Sequence, residues 1–476
     1  MHRLALAALL FALPSQDAGP VDGADGSGDP YYPGVGNGGY DAQHYDLVFD
    51  VSMDTGQVGA RATVTLVPDV ALASFHLDLV GLEVTAVSID GEPAAFRHVG
   101  RELEITPARP LAAGEPVQAR VEYHGMPSIV KDPAVPFVPG VGWIRQERDG
   151  QVEGVYVISE CIGAASFFPC NDHPTDKATY SFDVGVDAPW VVAANGRVVE
   201  RVAEDGLVRH RFRARDPMAT YLVTICIAQF EVVESVTDGG LPLTHYFEQS
   251  TTPRARAVFD QTEAMLGFFE QRFGPYPFES YGGVLARSRL GGALETQTLP
   301  VYSSGVGPST VAHELAHQWF GNHVSPAAWS DLWLNEGFAS FAEWLWSEHT
   351  EDPRIERRMA ATYRRLKRTA VGSPHDTGVA ELFSGRVYTR GAWVLRALRA
   401  ELGDETFFRL VRTWVTRFGG GHASTRDFTQ LASEVADRDL DPWFDAHLYS
   451  ALTPDDPAFE LPPGDVDGAG ADEDAR

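Results

Sequence analysis

His313-Glu314-Leu315-Ala316-His317 is the stretch that decides how the fold and chemistry of this chain are interpreted. It lies in a helical pattern over about 309–321. Four residues are just over one helical turn, so both imidazoles project from one face and can share a tetrahedral zinc ion. Glu314 lies beside them, where a carboxylate can act as general base on a water molecule. Two surface histidines on a helix would give the same pattern, so a metal site needs a third ligand.

The next helical pattern, over about 332–348, supplies a candidate for that third ligand. Glu336 is an acidic residue in a strongly apolar helix, where an uncompensated carboxylate would cost free energy. If the second helix returns antiparallel to the first, Glu336 lies over the histidine pair. Two histidines and one carboxylate leave a fourth position open, as catalytic zinc requires. The sequence therefore predicts one Zn²⁺ per chain, held by His313, His317 and Glu336.

Apolar periodicity divides the rest of the chain into two domains. From Tyr45 onward apolar and polar residues alternate with period two, and turn signals such as Asn195-Gly196 follow. Residues 40–236 are therefore predicted to form an antiparallel β-sandwich-like domain. Residues 237–452 are predicted to be mainly helical, which makes the fold class α+β and multidomain. The predicted helices lie at about 254–273, 309–321, 332–348, 352–370, 387–402, 404–417, 425–437 and 440–449.

Both ends of the chain differ from these domains in composition. Leu4 to Leu13 is an unbroken apolar run, too short to span a bilayer but typical of a signal peptide, so residues 1–15 predict export. An incidental apolar N-terminus is the alternative. Residues 16–39 and 453–476, rich in Gly, Asp and Pro, are predicted to be a flexible leader and a disordered acidic tail. We therefore expect a secreted or periplasmic protein without a later membrane span.

Charge and cysteine content limit the remaining possibilities. The chain has 66 acidic and 38 basic residues, a formal charge of −28, which argues against nucleic acid as a partner. We expect a monomer. The three cysteines form no C-x-x-C metal pair. In an exported protein Cys161 and Cys170 could form a disulfide, and burial of all three as small apolar residues is the alternative.

The motifs together resemble a known family. The runs from His313 to Asn322 and from Trp333 to Ala339 are similar to those of the gluzincin zinc metallopeptidases in the aminopeptidase N and leukotriene hydrolase group. Further similarities, in the family's order over roughly 40–450, are Phe168-Pro-Cys-Asn-Asp172 with Lys177-Ala-Thr179, Gly292-Ala-Leu-Glu-Thr296 and Tyr388-Thr-Arg-Gly-Ala392. The resemblance implies a thermolysin-like zinc peptidase domain over 237–452. Because the sequence ends before the family's further domains, it resembles the short two-domain bacterial form.

The resemblance also implies roles for individual residues. Glu295, in a substrate-binding segment with Gly292 and Ala293, would bind the free α-amine of a peptide, and Glu160 would be a second amine-binding residue. Tyr388 would donate a hydrogen bond to the tetrahedral intermediate. The chain departs from the family's pattern at three positions, because Leu294, Thr296 and Arg390 stand where Met, Asn and Lys are usual. The preferred N-terminal side chain therefore cannot be transferred.

The activity that follows from this resemblance is a zinc aminopeptidase. It would act on peptides with a free N-terminus, with water activated by the metal and Glu314 as general base. The alternatives are an epoxide hydrolase or an endopeptidase on the same scaffold, and a binding module without activity. Glu295 and Glu160 disfavour the endopeptidase, since acidic residues that bind the amine restrict cleavage to the first residue.

Overall fold

The computed structural model describes residues 19–249, 251–287, 292–368 and 371–456. A β-rich N-terminal part is followed by a part in which helices surround a smaller sheet, so the α+β fold class is confirmed. The predicted signal peptide over 1–15 lies outside the described residues. No helix within the described ranges is both long enough and apolar enough to cross a bilayer.

The strands of the N-terminal part are short and joined mainly by tight turns. In chain order they are β1 (Val21–Asp22), β2 (Tyr40–Val51), β3 (Val58–Pro68), β4 (Leu72–Asp78), β5 (Glu83–Ile89), β6 (Glu92–Pro93), β7 (Ala95–Val99), β8 (Glu102–Thr106), β9 (Val117–Gly125), β10 (Ile129–Val130), β11 (Val141–Arg148), β12 (Gln151–Ile158), β13 (Lys177–Val186), β14 (Val191–Ala194), β15 (Arg197–Glu204), β16 (Leu207–Ala219) and β17 (Ile225–Ala228).

Two large sheets of this part share one core. The eight-stranded sheet has the order β15-β16-β13-β2-β3-β9-β5-β6, and the five-stranded sheet has the order β10-β11-β12-β17-β14. The ring of Phe49 on β2 lies 6.3 Å from that of Trp143 on β11, so the two inner faces pack together. Most neighbouring strands are antiparallel, as predicted, but β2 and β13 run parallel. A four-stranded sheet, β1-β4-β8-β7, completes this part.

The second part combines a five-stranded sheet with helices. Its strands are β18 (Phe230–Val236), β19 (Pro242–Glu248), β20 (Tyr281–Leu285), β21 (Ala293–Leu294), β22 (Val301–Tyr302), β23 (Ser325–Pro326) and β24 (His422–Ala423). Its α-helices are α1 (Pro253–Arg256), α2 (Thr262–Phe273), α3 (Pro308–Ala316), α4 (Trp333–His349), α5 (Ile355–Arg368), α6 (Gly391–Phe418), α7 (Thr425–Ala436) and α8 (Asp441–Phe444). Shorter helical turns are Ala164–Ser166, Thr220–Leu222, Ala257–Phe259, Trp329–Asp331 and Val379–Glu381, and π-helical turns are Arg386–Arg390 and Asp445–Tyr449.

Two glycines explain where the helices end or bend. Helix α3 ends at Ala316, whereas the sequence predicted a helix to about 321, because two of the following amides bond to carbonyl groups three residues back, and Gly321, with a φ of 111°, then redirects the chain. The predicted break between 402 and 404 is confirmed, since Gly403 has a φ of 74° inside α6. Only glycine adopts such angles without strain, so both positions fix the direction of the following chain.

The predicted domain boundary at 236/237 is wrong by one strand. Strand β18 pairs with β19 in the sheet of the second part, so the change of domain lies between β17, which ends at Ala228, and Phe230. Alternating apolar residues in β18 look the same in either sheet, and strand pairing decides which domain the strand joins.

The leader predicted over 16–39 is ordered rather than flexible in its described residues, 19–39. Strand β1 pairs with β4, and the Tyr32 ring packs at 6.2 Å against that of Trp329. The Asp29 carboxylate accepts hydrogen bonds from the backbone amides of Tyr31, Tyr32 and Trp329 at 2.8, 3.0 and 2.8 Å. The high content of Gly, Asp and Pro predicted a flexible segment. In the structure, polar side chains such as Asp29 instead attach this segment to both parts of the protein.

The disordered tail predicted over 453–476 is ordered in its described residues, 453–456. Thr453 is buried, and the backbone amide of Asp456 donates a 2.9 Å hydrogen bond to the Tyr363 hydroxyl. These contacts hold residues 453–456 on the helical domain. Residues 457–476 lie outside the described ranges.

Lys177 connects the two parts of the protein close to α3. Its half-buried ammonium donates hydrogen bonds to the carbonyl oxygens of Asn322, His323 and Gly421 at 2.8, 3.0 and 3.0 Å. Asn322 and His323 belong to the turn that follows α3, so the first domain holds the end of that helix in place. Cys161, Cys170 and Cys226 are buried with free thiols, in agreement with the apolar alternative rather than a disulfide.

We predict that Asp29→Ala lowers the free energy of unfolding by about 2 kcal/mol, because the substitution leaves the buried Trp329 amide without an acceptor. Urea denaturation followed by tryptophan fluorescence measures this change. Asp25→Ala, at an exposed aspartate of the same segment, is the control and should stay within about 0.5 kcal/mol of wild type. Equal effects of the two substitutions would contradict the packed leader.

Candidate active site

Helices α3 and α4 bring the three predicted metal ligands together. His313 lies on α3, His317 follows its last residue, and Glu336 lies in the first turn of α4. Ligand atoms of the three residues lie within 4.8 Å of one another, and all three side chains are buried. The Nε2 atoms of His313 and His317 lie 3.1 and 3.4 Å from Oε2 of Glu336. Three metal-ligand atoms therefore converge on one point, as the three protein ligands of a catalytic zinc site do.

Each histidine is held by a hydrogen bond from its other ring nitrogen. Nδ1 of His313 donates to Oε1 of Glu343 at 2.8 Å, and Nδ1 of His317 donates to the Phe320 carbonyl at 3.1 Å. With Nδ1 protonated, Nε2 of each neutral ring carries a lone pair that faces Glu336 and can bind a metal ion. The donor set therefore fits zinc, which prefers imidazole nitrogen and carboxylate oxygen in catalytic sites.

The electrostatics of the cluster favour a bound cation. Burial acts to raise the pKa of Glu336, but the charges and hydrogen bonds of His317 and His313 outweigh it and lower the pKa to about 2. Burial acts against protonation of His317, but Glu295 and Glu336 raise its pKa to about 8. The carboxylates thus draw positive charge onto the imidazoles, and a divalent ion would supply that charge at the same place.

Glu314 lies in the same cavity, next to His313 on α3. One of its carboxylate oxygens lies within 4.8 Å of ligand atoms of Glu295 and His317. Burial raises the pKa of Glu314 to about 8, although His313 and His317 act in the opposite direction. A carboxylate with a raised pKa beside a metal ligand set is suited to accept and return a proton.

Glu160 and Glu295 form a second acidic group beside the ligands. Oxygens of Glu160, Glu295 and Glu336 lie within 4.8 Å of one another, although Glu160 comes from the first domain. Oε1 of Glu160 and Oε1 of Glu295 are buried without a hydrogen-bond partner among the described residues. Burial, and then the neighbouring carboxylates, raise the pKa of Glu160, and burial raises that of Glu295. Two such oxygens can be satisfied by a cation with several N–H donors, such as a primary ammonium group.

Tyr388 borders the cluster from the side of α6. It lies in the π-helical turn Arg386–Arg390, and its ring stacks on that of His313 at 6.1 Å with an angle of 11°. Its hydroxyl interacts with the Glu336 side chain, and burial raises the pKa of Tyr388 well above its usual range. The phenol therefore stays protonated and is available as a hydrogen-bond donor.

These residues line one cavity of about 610 Å³, a size suited to a small ligand or a peptide end. Gly292 and Ala293 lie along it, and the Gly292 carbonyl accepts hydrogen bonds from the amide and hydroxyl of Ser303 at 2.9 and 2.6 Å. The structure thus brings every predicted site residue to one place. Their individual roles stay predictions.

The sequence interpretation missed two features of the cavity. Glu343 follows Glu336 by seven residues, or two helical turns, so the helical period alone could have placed it on the same face. The second feature is a group of apolar residues between 129 and 144, which reach the cavity from the first domain. No local pattern connects them to residues 292–343.

Two family models match the chain. A model described as the peptidase family M1 domain matches residues 257–447, and one described as the peptidase M1 N-terminal domain matches residues 41–222. Similar proteins include the leucyl aminopeptidase of Saccharolobus solfataricus, 28% identical over 436 residues, covering 84% of this chain and 52% of that protein. Aminopeptidase M1-C of Oryza sativa subsp. japonica is 28% identical over 326 residues, 61% of this chain and 36% of that protein. The chain therefore spans between about a third and half of these relatives.

Solved structures match over nearly their whole length. The crystal structure of an M1 zinc metallopeptidase from Deinococcus radiodurans has a TM-score of 0.84 and 31% identity, covering 90% of this chain and 98% of that one. A mutant of a Deinococcus radiodurans M1 zinc metallopeptidase bound to a Tyr-Ser-Ala substrate matches with a TM-score of 0.83, 31% identity and coverage of 90% and 99%. Both domains and their order are shared with these structures.

We predict that Glu343→Ala weakens zinc binding by about 10- to 100-fold, because His313 loses the acceptor that fixes its ring. Competition with a chromogenic zinc chelator measures the affinity. Glu348→Ala is a matched control on the same helix, since Glu348 pairs with Arg399 instead. If both variants bind zinc as tightly as wild type, Glu343 does not orient the ligand.

Proposed function

Because this chain belongs to peptidase family M1, we propose that it is a zinc-dependent aminopeptidase that removes single residues from the N-terminus of peptides. The observation that carries this proposal is the position of Glu160 and Glu295, whose unpartnered buried oxygens lie beside the metal ligands. The names of the similar proteins support the same activity. Since the chain covers only part of those proteins, the activity is inferred from the site.

In the proposed reaction, the three ligands and Glu314 have separate roles. His313, His317 and Glu336 would hold a zinc ion, which when bound supplies a Lewis acid for the scissile carbonyl and lowers the pKa of a water molecule. Glu314 accepts the proton of the attacking water and returns it to the leaving amine.

Tyr388 would stabilise the developing negative charge on the carbonyl oxygen. Its protonated hydroxyl lies beside Glu336, at the border of the ligand cluster. A preorganised donor of this kind contributes about 3 kcal/mol to the barrier reduction in enzymes where such a donor has been removed. The ring stack with His313 keeps the phenol in position.

Glu160 and Glu295 would determine that cleavage occurs after the first residue. An ammonium group bound between them fixes the N-terminus, so only the first peptide bond reaches His313, His317 and Glu336. An internal peptide segment has no charge to offer these two carboxylates, and burying it there leaves both oxygens unsatisfied. The same reasoning disfavours an endopeptidase on this scaffold.

The deciding experiment compares a free-amine tripeptide, Leu-Ser-Ala, with its N-acetylated form. We expect wild type to cleave the free-amine peptide at least about 100-fold faster in kcat/KM, because acetylation removes the charge that Glu160 and Glu295 bind. Glu295→Gln should lose most of this preference and most of the activity. The release of Ser-Ala, the product that both peptides share when the first peptide bond is cleaved, measures both rates.

Glu314→Gln is the second variant of this experiment. It should lower kcat by about 1,000-fold while one zinc ion stays bound, because the amide cannot accept a proton and is not a ligand. Metal content is measured by atomic emission. Equal cleavage of both peptides by wild type would reject the aminopeptidase proposal in favour of an endopeptidase or another reaction.

We also propose that the protein is exported, on the basis of the apolar run from Leu4 to Leu13. N-terminal sequencing of the protein recovered from its native cells tests this proposal. A mature N-terminus between residues 14 and 20 is expected, since strand β1, which pairs with β4, begins at Val21. Recovery of the intact leader in the cytoplasm would reject export.

A further inference from the structure

An apolar wall forms one side of the cavity. We define it as Ile129, Val135, Val138, Val141, Ile144 and Ile158, all of which line the cavity. It comes entirely from the first domain, from β10, β11, the end of β12 and the connecting segment 131–140. Phe137 lies on the same segment at the rim, where its side chain is 75% exposed. Because Phe137 also lines the cavity, its exposed ring is free to contact a ligand bound against the wall.

The segment that carries the wall is held firmly. Its three prolines, Pro133, Pro136 and Pro139, restrict the backbone. The buried Asp132 carboxylate accepts hydrogen bonds from the hydroxyl of Tyr32 at 2.7 Å and from the amide of Cys161 at 3.1 Å. These bonds connect the segment to the packed leader and to the residue after Glu160. The wall is therefore preorganised: it forms one side of the cavity in the absence of a ligand.

The wall lies at the end of the cavity where the amine would bind. Ile158 precedes Glu160 by two residues, and β11 places Gly142, next to Val141, opposite Ile158. Leu294, which also lines the cavity, directly precedes Glu295. A residue whose ammonium group lies between Glu160 and Glu295 thus has its own side chain next to these apolar groups.

The charged side chains that line the cavity lie around the metal and amine positions and not in the wall. Among the described residues no lysine or arginine lines the cavity, and its acidic lining residues are Glu160, Glu295, Glu314, Glu336 and Glu343. Glu343 already accepts bonds from His313 and Ser309, and the others surround the metal and amine positions. An acidic side chain would meet repulsion there, and a basic one would lose its hydration against the wall.

We propose that this enzyme selects peptides whose N-terminal residue has a large, uncharged apolar side chain, which the apolar wall binds and Phe137 covers. The proposal rests on the aminopeptidase function above and adds the substrate class of that site. Transfer of such a side chain from water to the wall is favourable in proportion to the apolar area buried. A small first residue such as alanine leaves the wall uncovered.

The test is a series of tripeptides X-Ser-Ala, in which X is Phe, Leu, Ala, Lys or Glu. We expect kcat/KM for X = Phe or Leu to exceed that for X = Ala by at least about 10-fold, and Lys and Glu to fall below Ala. Release of the first amino acid is measured under identical conditions with the zinc-loaded protein.

Two variants, one at the rim residue Phe137 and one at the wall residue Val138, test the residues named. Phe137→Ala should lower kcat/KM for X = Phe by about 5-fold and leave X = Ala within about twofold, so the alanine peptide also reports correct folding. Phe96→Ala is the matched control, an exposed phenylalanine on β7 that does not line the cavity. Val138→Asp should raise the ratio of X = Lys to X = Leu by about 10-fold, because it places a negative charge in the wall.

The outcomes separate this inference from the proposed function. If no X-Ser-Ala peptide is cleaved, the aminopeptidase proposal itself fails. If the peptides are cleaved but Ala, Lys or Glu equals or exceeds Phe and Leu, the function stands and the selection is overturned. If Phe137→Ala and Phe96→Ala affect X = Phe equally, the assignment of Phe137 as the residue that covers the bound side chain is overturned.

Discussion

The concentration of carboxylates in a buried cavity is the constraint on which the rest of this structure depends. Glu160, Glu295, Glu314, Glu336 and Glu343 all line one cavity, and four of them are fully enclosed. Charges of one sign are costly at such distances in a medium of low dielectric constant. Histidines, bound cations and raised pKa values are the means of reducing that cost. The same unsatisfied charge is the basis on which we propose that the cavity binds a metal ion and a protonated amine.

Such a cluster needs a rigid scaffold, because repulsion would otherwise separate its members. The carboxylates come from both domains, and their positions depend on contacts across the domain boundary. The ammonium group of Lys177 fixes the turn after α3, and Asp29 connects the leader to Trp329. Asp132 holds the apolar wall beside Glu160 through the amide of Cys161. Asp29 and Asp132 are buried carboxylates whose hydrogen bonds are satisfied, and the loss of one partner of such a group is strongly destabilising.

Local patterns in the sequence predicted the features that depend on local geometry. The alternation in β2, the break at Gly403 and the spacing of His313 and His317 follow from the periods of strand and helix. The leader and the wall could not be predicted in this way. Asp29 and its partner Trp329 are 300 residues apart, and composition alone marked the leader as flexible. The family resemblance named Glu295 and Glu160, but the apolar surface beside Glu295 comes from residues more than 130 positions earlier in the chain, which no local pattern connects to it.

The enclosure of Lys177 decides how the protein responds to amine-directed chemistry. The sequence contains three lysines, Lys131, Lys177 and Lys367. The Lys177 nitrogen is surrounded by three carbonyl oxygens, and that of Lys367 bonds the Thr453 carbonyl and Asp455. Lys131 is exposed and begins the segment that carries the wall. Among these three lysines, Lys131 is therefore the first to react with an acylating dye, so a label coupled through a lysine side chain sits on the segment that carries the apolar wall.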